Sequence, residues 1–226
     1  MRKLDTIAID KGTDKSSQIH NYCVKYEKWL PFNRLEPLKI LEIGVLNGES
    51  LETWREYYPN ATIVGIDIMP ECKKHEDLAR KILVEIGSQD DPVFLRNLAL
   101  QHGPFDLIVD DGSHVNQHVT TSFVHLIDSV KPEGVYVIED CATSYWEEWG
   151  GGFRRENSSI EFSKRLVDDV NFNGQMQDDF WNVHARREDY LIPQVQEKIN
   201  NRQIDMIRTD IESVNFLNGL IIITKR

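Results

Sequence analysis

Five short apolar runs, each closing on an acidic residue or a glycine, constrain this chain more than anything else in it. They are LKILEIG (38–44), TIVGID (62–67), KILVEIG (81–87), FDLIVDDG (105–112) and GVYVIED (134–140). A strand with one wet face alternates apolar and polar residues, whereas these are almost continuously apolar, as strands covered on both faces are. Between them lie stretches of helical character: ESLETWREYY from about Glu49, a segment from Asp91 to His102, and QHVTTSFVHLIDSV after the fourth run. Strand and helix in alternation predict a parallel sheet with helices on both sides. Near the C-terminal end, IDMIRTDI and GLIIITKR read as two strands with only a short loop between them, hence as antiparallel neighbours. The expected architecture is α/β: a doubly wound, seven-stranded sheet, mostly parallel, with a C-terminal antiparallel β-hairpin.

Upstream, SSQIHNYCVKYEKWL (16–30) places Ile19, Tyr22, Cys23, Tyr26 and Leu30 on one helical face, with Ser16 or Ser17 as the cap, before Pro31 and Pro37 break the pattern. At 226 residues and 40% hydrophobic content, the chain suits one such domain with a helical segment, 1–37, in front of it. The net charge of −11 and the lack of any basic run exclude a duplex-binding surface, so no nucleic-acid partner is expected. Cys23, Cys72 and Cys141 are scattered, which suggests reduced thiols. The opening residues are too polar for a secretion signal, and no apolar run reaches membrane-span length. A cytoplasmic location without a membrane partner is the expectation; a homo-oligomer remains open.

Ligands of open α/β sheets bind at the carboxyl ends of the strands, near the point where strand order reverses. The unusual residues here fall at those ends: Glu42 and Gly44, Asp67, Gly87 to Asp90, Asp110 to His114, Glu139 and Asp140. EIGVLNGES is a glycine-bearing turn from strand to helix, without the second glycine of the dinucleotide fingerprint. Asp67, twenty-odd residues on, suits the two hydroxyls of a ribose. Ser88 and Gln89 are placed to meet an adenine edge. Several carboxylates converging without a partner repel, so one must protonate or a cation must bind. An all-oxygen set without cysteine suits Mg²⁺. The plainer alternative is that these acids cap helices or pair with Arg154 and Arg155.

ExG at the end of the first run (Glu42-Ile43-Gly44), the acidic end of the second run and the terminal hairpin resemble class I S-adenosylmethionine-dependent methyltransferases, which are Rossmann-like. DDGSH, with the ED of VIED beginning 28 residues beyond Asp111, and GTDKSSQIHNYCVKY (12–26) resemble a narrower branch. That branch holds the metal-dependent macrolide and tetracenomycin sugar O-methyltransferases and the cephalosporin-hydroxylase-type proteins. The resemblance implies that Asp111, Glu139 and Asp140 hold a divalent metal and that His114 is the general base. It places Glu42, Gly44, Asp67, Ser88, Gln89 and Asp110 on the S-adenosylmethionine side. Residues 38–226 then form the methyltransferase domain, with 141–202 a variable, substrate-side insertion. The expected reaction is Mg²⁺-dependent methyl transfer to a hydroxyl of a sugar or other small-molecule acceptor, glycosylated acceptors included.

Two rivals stay open: an oxidative enzyme like the hydroxylase-named relatives, and a non-catalytic protein that binds an adenosyl ligand. His114 and His118 stand four apart without the glutamate of HExxH, so a zinc protease is not expected, while two histidines with a carboxylate would make a non-haem iron site. His125 sits on an apolar face with Phe123 and Leu126. Tyr145, Trp146, Trp149 and Phe153, around three glycines, suit a substrate lid or sugar platform.

Overall fold

Each of the five apolar runs becomes a strand, and the sheet they build fixes where every acidic strand end points. The structure is a computed structural model describing residues 2–172 and 208–226, with 193, 197 and 200 between them. In chain order the helices and strands are α1 (Leu4–Lys11), α2 (Tyr22–Trp29), β1 (Lys39–Ile43), α3 (Glu49–Tyr57), β2 (Thr62–Asp67), β3 (Ile82–Ile86), α4 (Pro92–His102) and β4 (Phe105–Asp110). There follow α5 (Asn116–Leu126), β5 (Val130–Ile138), α6 (Ser159–Val170), β6 (Ile211–Leu217) and β7 (Leu220–Lys225). The spatial order is β3-β2-β1-β4-β5-β7-β6. Strands β1 to β5 run parallel, and β7 is antiparallel to both β5 and β6. The order turns back between β1 and β4, so the crevice above those two strand ends is the natural ligand site.

Alternation along each strand sorts side chains to two faces. Ile40, Ile63, Leu107, Val109, Val135 and Val137 go to one, where Leu4, Ile7, Tyr22, Tyr26 and Trp54 of the first three helices cover them. Leu41, Ile43, Val64, Ile108, Tyr136 and Ile138 go to the other, against Leu95, Leu98, Phe123, Leu126 and Leu166. The segment 1–37 therefore shares the domain's core. Ile108 is fully buried between neighbours on the central strands, and truncating such a residue to alanine costs about 2–5 kcal/mol.

The sequence expectations need three corrections. Helix α1 was not anticipated, and α2 starts at Tyr22, not at Ser16, because residues 13–20 form turns whose end is tied back by Tyr22 and Cys23 amides donating to the Lys15 carbonyl at 2.9 Å each. The fifth strand begins before GVYVIED: β5 starts at Val130 and carries an irregularity ahead of Gly134, with Glu133 at φ 62° and a shift of register against β4. The first hairpin strand is IESVNFL, seven residues beyond the start of IDMIRTDI, because the Asn218-Gly219 turn, with Gly219 at φ 80°, sets which residues face β7. Residues 204–207 of that expected strand, and most of 173–202, lie outside the described residues.

Candidate active site

A cleft of about 510 Å³ opens above the carboxyl ends of the parallel strands, bounded by the loops that follow β1, β2, β3 and β4, by Asp140 beyond β5, and by residues 12–15. Gly44 begins the first of these loops. At φ 95°, a Cβ there would lie 2.1 Å from the Asp111 carbonyl oxygen, so only glycine lets the β1 and β4 loops approach so closely. Asp67, at the end of β2, holds that loop. Its Oδ2 accepts from the amides of Val45 at 2.9 Å and Leu46 at 3.0 Å, and its Oδ1 from Met69 at 2.9 Å. Partial burial works against the charge, but these three amides hold the Asp67 carboxyl below the usual aspartate range. Ser88 also lines the cleft. Gln89 lines it too and is a brace: its Nε2 donates to Asp110 at 3.0 Å, and its Oε1 accepts from the Ser113 amide at 2.5 Å.

At the opposite end, Asp111, His114 and Asp140 each present one potential metal ligand atom within 4.8 Å of the others. His114 Nε2 is 3.5 Å from Asp140 Oδ2 and 3.8 Å from Asp111 Oδ1. His114 (φ 57°) and Asp140 (φ 50°) are both in the left-handed region, a conformation that costs L residues about 1–2 kcal/mol and tends to be kept where function needs it. Two carboxylates and an imidazole nitrogen at one mouth of the cleft fit a divalent cation that keeps open positions for other oxygens.

The other acids take different places. Glu139 is buried behind this cluster: its Oε2 accepts from Lys15 Nζ at 2.9 Å, and its Oε1 accepts from the Tyr26 hydroxyl. Lys15 Nζ also donates to Asp111 Oδ2 and lies 3.3 Å from Glu42 Oε1. The Tyr22 hydroxyl donates to Asp140 Oδ1 at 2.6 Å. Glu42 pairs with Lys15 of the N-terminal segment, but it does not line the cleft, and neither of its oxygens makes a hydrogen bond. Asp110 also leaves the cofactor side. It points into the opposite core, where Gln89, Ser122 and Tyr136 all donate to it. Both corrections follow from period two: Glu42 shares the face of Ile40, and Asp110 that of Ile108.

Burial dominates the electrostatics here. It pushes the Glu42 carboxyl up to about 7, with Lys15 opposing, and the Asp110 carboxyl up to about 6. Burial, reinforced by Asp111, raises Glu139 well above its ordinary value. Burial acts against the Lys15 charge, yet Asp111, Glu139 and Glu42 together hold its pKa well above that of a free lysine. Three acids face one ammonium and Asp140 stands beside His114 and Tyr22, an excess of carboxyl groups that favours a second cation.

The remaining candidates resolve simply. Ser113 Oγ is 2.8 Å from His118 Nδ1, and His118 Nε2 is 3.5 Å from Asp90, so His118 stands outside the acidic cluster. Arg154 lies over the Phe153 ring and Arg155 donates to the Gly151 carbonyl, which engages both guanidinium groups away from the acids. The aromatic stretch is pinned: buried Asn116 donates to the Trp149 carbonyl at 2.9 Å and accepts from the Ser159 amide at 2.6 Å. Trp149 is 6.0 Å from His114 between ring centres, while Tyr145, Trp146 and Phe153 are exposed. Reading the strand ends alone missed Lys15, Tyr22 and Tyr26 as parts of the acidic site; their signal was the segment 12–26, whose resemblance was noted without roles.

The sheet order with its antiparallel β7 is that of a Rossmann-like methyltransferase fold, and residues 41–141 match a family model described as a methyltransferase domain. Within that class, the chain resembles the macrolide and tetracenomycin sugar O-methyltransferases. It is 37% identical over 180 residues to L-olivosyl-oleandolide 3-O-methyltransferase of Streptomyces antibioticus, covering 75% of this chain and 46% of that protein. Against mycinamicin VI 2''-O-methyltransferase of Micromonospora griseorubida it is 38% identical over 168 residues, covering 70% of this chain and 41% of that protein. Among solved structures, the MycE methyltransferase from the mycinamycin biosynthetic pathway, in complex with Mg, SAH and mycinamycin VI, aligns with a TM-score of 0.78. That alignment has 28% identity and covers 100% of this chain and 55% of that one. The chain thus spans about half the length of the curated relatives it matches.

Proposed function

We propose that this protein is an S-adenosylmethionine-dependent, Mg²⁺-dependent O-methyltransferase acting on a hydroxyl of a small-molecule acceptor, a sugar or a glycosylated natural product. The observation that carries the reading is the convergence of Asp111, His114 and Asp140 in the same cleft as Gly44, Asp67 and Ser88. Asp67 orders the β1 loop and keeps lone pairs for ribose hydroxyls; Gly44 lies beside the space for the amino-acid end of the cofactor. A bound divalent ion would polarise the acceptor hydroxyl and fix its position. Asp111 and Asp140 are the side chains that would hold that ion, with Glu139 behind them. His114 Nε2, beside both, is placed to take the proton from the hydroxyl oxygen. Residues 38–226 act as the methyltransferase unit, with the aromatic part of 141–202 on the acceptor side.

A 2-His-1-carboxylate iron site needs a second imidazole in the cluster, and His118 is turned to Ser113 and Asp90. That disfavours the oxidative reading. The test is to follow methyl transfer from labelled S-adenosylmethionine to a panel of glycosylated acceptors, before and after exhaustive chelation. Methylated product that disappears with chelator and returns with Mg²⁺ is the expected result. Tight cofactor binding without turnover on any acceptor would leave a binding protein, and turnover unaffected by chelation would return the carboxylates to a structural role.

A further inference from the structure

Lys15 is 2% exposed and held from both ends. Its carbonyl accepts the Tyr22 and Cys23 amides, and its ammonium, with three protons to give, faces three carboxylates. The ammonium divides the work of Asp111: Oδ2 goes to Lys15, which leaves Oδ1 toward His114 and the cleft. It also helps fill Glu139, both of whose oxygens are engaged, one by Tyr26 and one by Lys15. Glu42 lies off the cleft, 3.3 Å from the same ammonium and without a hydrogen bond of its own.

Building on the reading of Asp111, Glu139 and Asp140 as a cation site, we propose that Lys15 is a resident cation for that site. It is a positioning residue that orients Asp111 and Glu139 and competes with the divalent ion for their oxygens. An ion that takes only Asp111 Oδ1 and Asp140 leaves Lys15 in place. Bringing Glu139 into the set requires the ammonium to give up Glu139, with Glu42 already beside it to retain the charge. Lys15 thereby sets the affinity of the site and keeps the carboxylates from repelling one another before an ion is bound. A positive charge in contact with a site shifts its ionic equilibria by about one to three powers of ten.

The test is direct binding of Mn²⁺, by calorimetry and by electron paramagnetic resonance of the free ion, to wild type, to Lys15→Met, and to the charge-balanced pair Lys15→Met with Glu42→Gln. Thermal melts with and without Mn²⁺ accompany each. We expect Lys15→Met to bind Mn²⁺ about tenfold or more tightly than wild type and to gain more melting temperature from it. The double variant, which buries no added net charge, should keep the tighter binding even if the single variant folds poorly. A lysine that serves packing alone would lower the melting temperature equally with and without the ion. That result, or Mn²⁺ bound no more tightly in either variant, overturns the role. Wild type and variants that all ignore Mn²⁺ would instead overturn the cation reading on which it rests.

Discussion

Replacing Asp67 tests the cofactor end of the cleft at its most exposed structural joint. In Asp67→Ala the amides of Val45, Leu46 and Met69 lose their acceptor together. A hydrogen bond to a charged group contributes about 1.5–3 kcal/mol when buried, but the three cases differ. Val45 is buried, whereas Leu46 is 63% exposed and its amide can turn to water. Asp67 itself is only partly buried, so solvent screens it. The expected loss is about 2–4 kcal/mol, most of it from Val45 and Met69. Asp67→Asn keeps one carbonyl oxygen for Val45 and Leu46 and sets an amide against Met69, so it should recover about half. The sign with pH follows from the depressed carboxyl. Its contribution is fully present above the unfolded value near 4 and is lost as pH falls through the lower folded value, so the gap between wild type and Asp67→Ala should close in acid. Urea melts at several pH values measure this, and calorimetry with S-adenosylmethionine measures the ribose role in parallel. A variant within about 0.5 kcal/mol of wild type at neutral pH would refute the loop argument. Undiminished cofactor affinity would refute the ribose assignment separately.

Three further outcomes are expected. His114→Ala should slow methyl transfer by about 10²–10⁴-fold while S-adenosylmethionine and metal affinities stay near wild type, as separate binding and single-turnover measurements would reveal; loss of affinity along with rate would mark a structural histidine. Asp140→Asn removes a charge from the cluster and should raise the Mg²⁺ concentration needed for half-maximal activity, with a smaller change in rate at saturating ion; an unchanged metal requirement would take Asp140 out of the set. Gly44→Ala forces a Cβ to 2.1 Å from the Asp111 carbonyl at a φ that L residues avoid. The β1 and β4 loops must then separate, with a loss of roughly 1–3 kcal/mol in stability and a weakened cofactor affinity. A Gly44→Ala protein with wild-type binding would show the loops free to part.

The strands were legible because a doubly covered parallel strand leaves no choice of residue type: TIVGID is β2 from first residue to last. The terminal hairpin was harder. Hydropathy does not mark where its first strand starts, because the Asn218-Gly219 turn decides which residues pair with β7. The cleft was located correctly by the rule of strand ends, but two of its expected residues point away from it. Glu42 and Asp110 end neighbouring parallel strands and still face opposite cores, a consequence of strict alternation that could have been counted from Ile40 and Ile108. Lys15 had no such signal. No spacing in the sequence tells that an ammonium in a turn before α2 reaches Asp111 and Glu139, because that contact is made only by tertiary packing.

Several contacts that order the carboxylates are among the most distant along the chain in the described residues. Lys15 meets Glu139 across 124 residues, Tyr22 meets Asp140 across 118 and Tyr26 meets Glu139 across 113, while Lys25 holds the carbonyl of the hairpin turn at Asn218 across 193. Long loops are entropically costly to close and close late. During synthesis, Glu42 and Asp111 reach Lys15 before Glu139 and Asp140 exist, so the set is completed only after β5 has left the ribosome, and the strand that seals β5 follows later still. An early, half-formed sheet therefore carries no assembled acidic site. A divalent ion captured by the finished cluster would therefore act on a late-completed part of the fold, stabilising the native state without speeding the first steps of its formation.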